Sequence, residues 1–164
     1  MGKEIEFKYL TSEKNLPKDY KSYPTKEIEQ AYLNMPGADA SKTYRVRKMG
    51  NKYFYCVKGE GLIAREESEE EISKEEYAFY LVHKTGNSIH KTRYFIPLGY
   101  DDLVAELDVY HDQLDGLYTV EVEFKEDYDL SSFVPPSWFG KDVTKDSRYK
   151  NANLAKIDSI SSLS

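Results

Sequence analysis

One cysteine, Cys56, is present among 164 residues, so no intramolecular disulfide can form and no cysteine-based zinc site can be assembled. A basic excess is also missing. The formal net charge is −6, and without an exposed basic field neither nucleic acid nor an anionic membrane is an expected partner. No apolar run approaches the ~18 residues that cross a bilayer. The first residues do not resemble a signal peptide, and a cytoplasmic location is expected. His83, His90 and His111 are scattered without metal-ligand spacing. Walker, Gly-x-Gly-x-x-Gly and Gly-x-Ser-x-Gly motifs are all absent, as are internal repeats and low-complexity stretches.

Aromatic residues are plentiful. Fifteen Tyr and seven Phe stand against a single Trp, a composition that favours strands over helices. The length suits one domain, residues 1–164, with a single sizeable core. Glu4-Ile5-Glu6-Phe7-Lys8 alternates strictly between charged and apolar side chains, which puts Glu4, Glu6 and Lys8 on one face of a strand. Residues 11–25 are polar, contain Pro17 and Pro24, and read as loop or short irregular helix. Further alternating segments run over 27–34, 43–49, 53–58, 62–72, 88–96, 103–110 and 117–125. Gly50-Asn51 joins two of them as a two-residue hairpin of type II′. Ser73-Lys74-Glu75-Glu76 is a capping box for one helix, with Tyr77, Phe79, Tyr80 and Leu81 offered as its apolar face and Gly86 as its stop. A short helical stretch follows near residues 151–157. The expectation is a mainly β, α+β chain of about eight antiparallel strands with few helices.

Charge is sorted by strand. Sharing one parity are Glu4, Glu6 and Lys8, then Arg45 and Arg47, Lys58, and Arg65 with Glu67, Glu69 and Glu71. Lys91 and Arg93, Glu106 and Asp108, and Glu121 and Glu123 continue the series. In a sandwich these faces would be solvated. In a closed barrel they would line a polar lumen under an apolar outer face. Alternation alone leaves both open. If the stripes converge, clustered cations require anions, because like charges ~4 Å apart repel by roughly 4 kcal/mol at an effective dielectric near 20. A polyphosphate suits Arg and Lys, and Glu4, Glu6, Glu121 and Glu123 offer hard oxygen ligands for Mg²⁺ or Mn²⁺. Cys56 reads as a small apolar filler.

The ordered set of motifs resembles the CYTH superfamily of triphosphate tunnel metalloenzymes. It comprises Glu4-Ile5-Glu6-Phe7-Lys8, Tyr44-Arg45-Val46-Arg47, Val57-Lys58-Gly59, Arg65-Glu66-Glu67-Ser68-Glu69, and Lys91-Thr92-Arg93-Tyr94. Glu106-Leu107-Asp108-Val109, Val120-Glu121-Val122-Glu123-Phe124 and the tail from Pro136 to Asn151 complete it. The resemblance implies an eight-stranded antiparallel tunnel with a charged lumen and peripheral helices. Lys8, Arg45, Arg47, Lys58, Lys91 and Arg93, with Arg65 from the same stripe, would hold the phosphates. Glu4, Glu6, Glu123 and Glu121 would bind Mg²⁺ or Mn²⁺. Glu67 or Glu69 would orient a water, and Tyr32 would assist or merely pack. The implied activity is a metal-dependent inorganic triphosphatase acting on a small-molecule triphosphate. Adenylate cyclase, thiamine triphosphatase, nucleoside triphosphatase and a non-catalytic polyphosphate-binding module are the alternatives. A homodimer is left open, and so is whether Glu71 joins the lumen.

Overall fold

The computed structural model describes residues 2–164. Eight strands, β1 (Gly2–Leu10), β2 (Thr25–Leu33), β3 (Thr43–Met49), β4 (Lys52–Lys58), β5 (Ala64–Ile72), β6 (Lys84–Pro97), β7 (Val104–Tyr110) and β8 (Tyr118–Glu123), form one sheet. The sheet closes on itself in the order β1-β5-β4-β3-β2-β6-β7-β8, and every pairing is antiparallel. β1 completes the circuit: residues 2–5 pair with β5 and residues 6–10 with β8. Closure removes the sheet edges, and eight strands leave an interior wide enough for side chains or one small ligand. Of the two arrangements that alternation allowed, the chain adopts the barrel.

The apolar faces point outward and are covered. Ile5 and Tyr9 of β1, with Ala105, Leu107, Val120 and Val122, are buried beneath Leu16, Phe124, Phe133 and Phe139. Helix α1 (Lys74–Leu81) covers the opposite side, setting Tyr77 against Ala31, Leu33, Val46 and Ile72. Its capping box forms as expected: Ser73 accepts from the Glu76 amide and Glu76 accepts from the Ser73 amide. The helix differs from its sequence reading in two respects. Phe79 is 64 % exposed and is not on the apolar face. Gly86 does not stop the helix, which ends at Leu81; it lies inside β6, which begins at Lys84, four residues earlier than expected. The Gly50 turn is as expected, joining Met49 to Lys52 with a Gly50 φ of 61°.

The register defines two ends. At one lie the β3–β4 hairpin, the end of β5 and the β6–β7 connection. At the other the lumen-facing series turns apolar: Glu4, Glu6 and Lys8 give way to Leu10, Arg93 and Lys91 to Ile89, and Glu106 and Asp108 to Tyr110. Ile89, Tyr110 and Tyr32 pack there with Val143, Tyr149 and Leu154 from the C-terminal segment. That segment includes the short helix α2 (Asn151–Leu154) and is stitched to β1 through Leu10 N to Lys141 O at 2.8 Å and Val143 N to Lys8 O at 2.9 Å. The result is an apolar plug closing one end.

Gly86 explains part of this attachment. Its φ is +69°, and a Cβ there would meet the Ala155 carbonyl oxygen at 2.7 Å. The neighbouring Asn87 amide donates to the same oxygen at 2.7 Å. Gly86→Ala therefore combines an unfavourable backbone conformation with displacement of the plug, at a cost of about 1–3 kcal/mol. Urea denaturation measures it, and unchanged stability would contradict this attachment.

Candidate active site

Alternation sends every second side chain of each strand inward. The interior is a tunnel of about 360 Å³ lined by eight basic and eight acidic side chains. The fourteen residues singled out from the sequence are Glu4, Glu6, Lys8, Tyr32, Arg45, Arg47, Lys58, Arg65, Glu67, Glu69, Lys91, Arg93, Glu121 and Glu123, and all of them line it. Glu71, left open by the sequence, is exposed and lines none of this cavity.

The two signs occupy different arcs of the wall. Most acidic groups come from the contiguous strands β7, β8, β1 and β5, and most basic groups from β4, β3 and β6, with β2 between the last two supplying Tyr32. Lys8 and Arg65 are basic residues set within the acidic arc. At the boundary, Lys58 Nζ lies 2.9 Å from Glu4 Oε1 and 4.0 Å from Glu67, while Arg65 Nε is 3.7 Å from Glu4. Arg47 reaches Glu69 at 3.0 Å and Arg45 reaches the same oxygen at 3.8 Å. Across the other boundary, Asp108 accepts two bonds from Arg93 at 2.8 and 2.9 Å and one from Lys91 at 2.8 Å. Lys91 and Asp108 are 1 % and 0 % exposed. Removing such an aspartate would strand two buried cations, a change that costs about 3–5 kcal/mol.

The ion pairs do not saturate the groups present. Arg45 Nε, Arg47 Nε and Glu121 Oε1 are buried without a hydrogen-bond partner among the described residues. Lys8 Nζ donates to the Tyr149 carbonyl at 2.5 Å instead of to a carboxylate. Unpartnered buried donors call for an acceptor, and here they belong to phosphate-binding side-chain types. Tyr32 accepts from Gln30 Nε2 at 3.1 Å and lies opposite Arg45 in the β2–β3 register, packing against the plug.

The carboxyls divide into two electrostatic kinds. Burial works against ionisation of Glu4, but Lys58 and a hydrogen bond from Glu67 hold its pKa down to about 2. Burial and the Glu4 charge push Glu67 up to about 7. A second couple repeats the pattern. Burial and the charges of Glu121 and Glu4 raise Glu6 well above the usual range. Glu121 is held low against its burial by Lys8, Arg93 and Lys91. Glu67–Glu4 and Glu6–Glu121 are thus carboxyl–carboxylate couples, each with one pKa raised and its neighbour's lowered. Burial also raises Glu123 and Glu106.

Oxygen-rich, partly protonated couples of this kind fit a divalent cation that prefers hard oxygen ligands, which would displace the protons. Cys56, Glu67 and Glu69 form the one group of three potential ligands whose atoms lie within 4.8 Å of one another among the described residues. Cys56 is 1 % exposed and burial raises its thiol pKa, which suits the small-filler reading and not a hard cation.

Sequence reasoning gave no role to Glu106, Tyr149, Lys150 or Asn151, which also line the tunnel. Glu106 lay in the charged stripe. The other three arrive by the fold-back of the C-terminal segment, which strand alternation does not reveal.

A closed antiparallel barrel with opposed acidic and basic arcs defines a class of anion-binding tunnel protein. The CYTH domain model matches residues 2–153, and the chain belongs to that family. It is 36 % identical over 157 residues to an inorganic triphosphatase of Nitrosomonas europaea, covering 93 % of this chain and 96 % of that protein. An inorganic triphosphatase of Acetivibrio thermocellus is 34 % identical over 161 residues, covering 95 % of each. A crystal structure of an inorganic triphosphatase superposes with a TM-score of 0.68 at 34 % identity, covering 97 % of this chain and 98 % of that one.

The shifted carboxyls make the stability of the protein depend on pH. Glu67 keeps its proton in the folded state up to about pH 7, whereas the unfolded chain releases it near 4.5. The native state binds more protons between those values, so stability falls as pH rises through that window. Glu6, Glu106 and Glu123 act in the same direction. Glu4, Glu121 and Asp108, held low, lose their contribution only as pH falls below the ordinary carboxyl range. In chelator and without phosphate, the melting temperature falls between about pH 5 and pH 7.5, and Glu67→Gln flattens the slope. A rise over that interval would contradict the shared-proton couples.

Proposed function

We propose that this protein is a divalent-metal-dependent inorganic triphosphatase that hydrolyses tripolyphosphate to pyrophosphate and orthophosphate. The observation that carries this reading is the division of one lumen into a carboxyl arc with shared protons and a basic arc with orphaned guanidinium donors. The relatives named inorganic triphosphatase support it. Anion binding alone would require only the basic arc.

In this reading Arg45, Arg47, Lys58, Arg65, Lys91, Arg93 and Lys8 hold the phosphoryl oxygens and meet negative charge as it shifts toward the leaving pyrophosphate. Glu4, Glu6, Glu121 and Glu123 would hold Mg²⁺ or Mn²⁺. When bound, such an ion polarises phosphoryl oxygens and compensates their charge. Glu67, on the tunnel wall beside Glu4, orients the attacking water and accepts its proton. Glu69 keeps Arg47 and Arg45 turned into the lumen. Water attacks the terminal phosphorus in line, and the bridging P–O bond breaks with its electron pair leaving on pyrophosphate. Tyr32 acts through Arg45.

Residues 1–164 are read as one domain and the setting as cytoplasmic. The net charge of −6 supports a small-molecule partner over nucleic acid or an anionic membrane. No helix among the described residues is long and apolar enough to cross a membrane.

A phosphate-release panel with tripolyphosphate, ATP and thiamine triphosphate, each with Mg²⁺, Mn²⁺ or chelator, tests the assignment. Rapid turnover is expected on tripolyphosphate with metal and none with chelator. Glu6→Gln lowers it at least about 10-fold, a loss seen even for residues one step behind a metal. Faster hydrolysis of ATP, or full activity in chelator, would overturn the reading.

A further inference from the structure

The outside of the barrel carries a second set of potential metal ligands. β2, β6 and β7 are neighbours in the sheet, and where Lys91 and Arg93 of β6 point into the tunnel, His90 and Thr92 point outward. Glu29 of β2 pairs with His90, and Glu27 pairs with Thr92. His111 directly follows β7, and its amide donates to the His90 carbonyl at 2.9 Å, one step beyond the Lys91–Tyr110 pair. Two imidazoles far apart in the sequence thus become cross-strand neighbours, and Cβ atoms of such opposed residues lie about 4.5–5.5 Å apart. Both line a groove of about 320 Å³ together with Glu27, Glu29 and Asp112. Lys48 is the one cation among the described residues that line it.

His90 has a carboxylate at each nitrogen of its ring. Asp112 Oδ2 lies 3.2 Å from Nδ1, and Glu29 Oε2 lies 3.7 Å from Nε2. A neutral imidazole has one N–H, so it donates to one of these acceptors and presents a lone pair to the other. Metal-bound histidines use that division: one nitrogen donates to an orienting carboxylate while the other faces the ion. Two ligand atoms, each ~2.0 Å from a tetrahedral ion, stand about 3.3 Å apart, close to the Glu29–His90 separation. His111 is turned aside, with Nε2 2.7 Å from Thr92 Oγ1, a hydroxyl that also meets Glu27 at 2.9 Å. Completing the set requires the His111 ring to leave Thr92 and turn toward Glu29.

We propose that His90, His111 and Glu29 bind a borderline divalent cation of the Zn²⁺ type, with Asp112 orienting His90. Imidazole nitrogens suit such an ion, whereas Mg²⁺ takes oxygen ligands. The site is separate from the tunnel and does not rest on the triphosphatase reading. An ion held there ties β2, β6 and β7 together behind Lys91 and Arg93, on the opposite face of the same wall.

Equilibrium dialysis against Zn²⁺ in a large excess of Mg²⁺ tests the proposal, the Mg²⁺ competing for the tunnel carboxylates. The wild type is expected to retain one equivalent of Zn²⁺. His90→Gln and His111→Gln each weaken retention at least about tenfold, since a loss of that size follows even from removing a residue one step behind a metal. Glu29→Gln removes a ligand of the same site without touching either imidazole and is expected to weaken retention as well. His83→Gln and the tunnel variant Glu6→Gln retain Zn²⁺ as the wild type does. Thermal melts show that each variant is folded before dialysis. No Zn²⁺ retained by the wild type, undiminished retention in any of the three site variants, or loss in His83→Gln or Glu6→Gln would overturn the proposal.

Discussion

Like charges about 4 Å apart repel by roughly 4 kcal/mol at an effective dielectric of 20, and eight basic and eight acidic groups line a cavity of only about 360 Å³ in this protein. Other features of the site respond to that confinement. Asp108 is shared between Arg93 and Lys91, Glu4 between Lys58 and Arg65, and Glu69 between Arg47 and Arg45. Where burial and a neighbouring carboxylate outweigh the nearby cations, the carboxyls are pushed toward the protonated form, as Glu67 is beside Glu4 and Glu6 beside Glu121. The protein's own groups therefore leave unpartnered donors on one arc and carboxyls raised toward their protonated form on the other. A metal–triphosphate complex supplies the missing charge of each sign.

The rest of the molecule makes that interior affordable. Stability comes from the outside of the barrel, where the aromatic cluster around Phe133 and the cover of α1 bury the apolar faces. The C-terminal segment plugs one end with Tyr149, Leu154 and Val143. Gly86 in β6 and the β1 carbonyls hold it in place. The plug also carries Lys150 and Asn151 to the tunnel wall, so a packing element contributes functional groups.

Strand alternation made most of this site legible. The fourteen residues chosen from parity and motif share one cavity because a period of two is rigidly transmitted from sequence to side-chain direction. The choice between sandwich and barrel was not legible from that period, since either arrangement segregates the same faces. It depended on β1 pairing with β5 through one half and β8 through the other. Gly86 was misread because a glycine following a helix usually marks its end; its positive φ instead accommodates the close approach of Ala155. The tail residues at the tunnel were hidden for a related reason. Their position follows from long-range packing, and a short irregular segment has no periodicity to announce it.

The central claim is that the lumen is electrostatically incomplete without a metal–triphosphate. The most direct measurement is the thermal melt of the folded protein with tripolyphosphate and Ca²⁺, at low and at moderate salt. Binding at a hundredfold excess over the dissociation constant adds roughly 2.7 kcal/mol. The account predicts a clear rise in melting temperature that largely survives moderate salt, because buried pairs are screened less than exposed ones. No rise at either salt, with the protein shown to be folded, would contradict it.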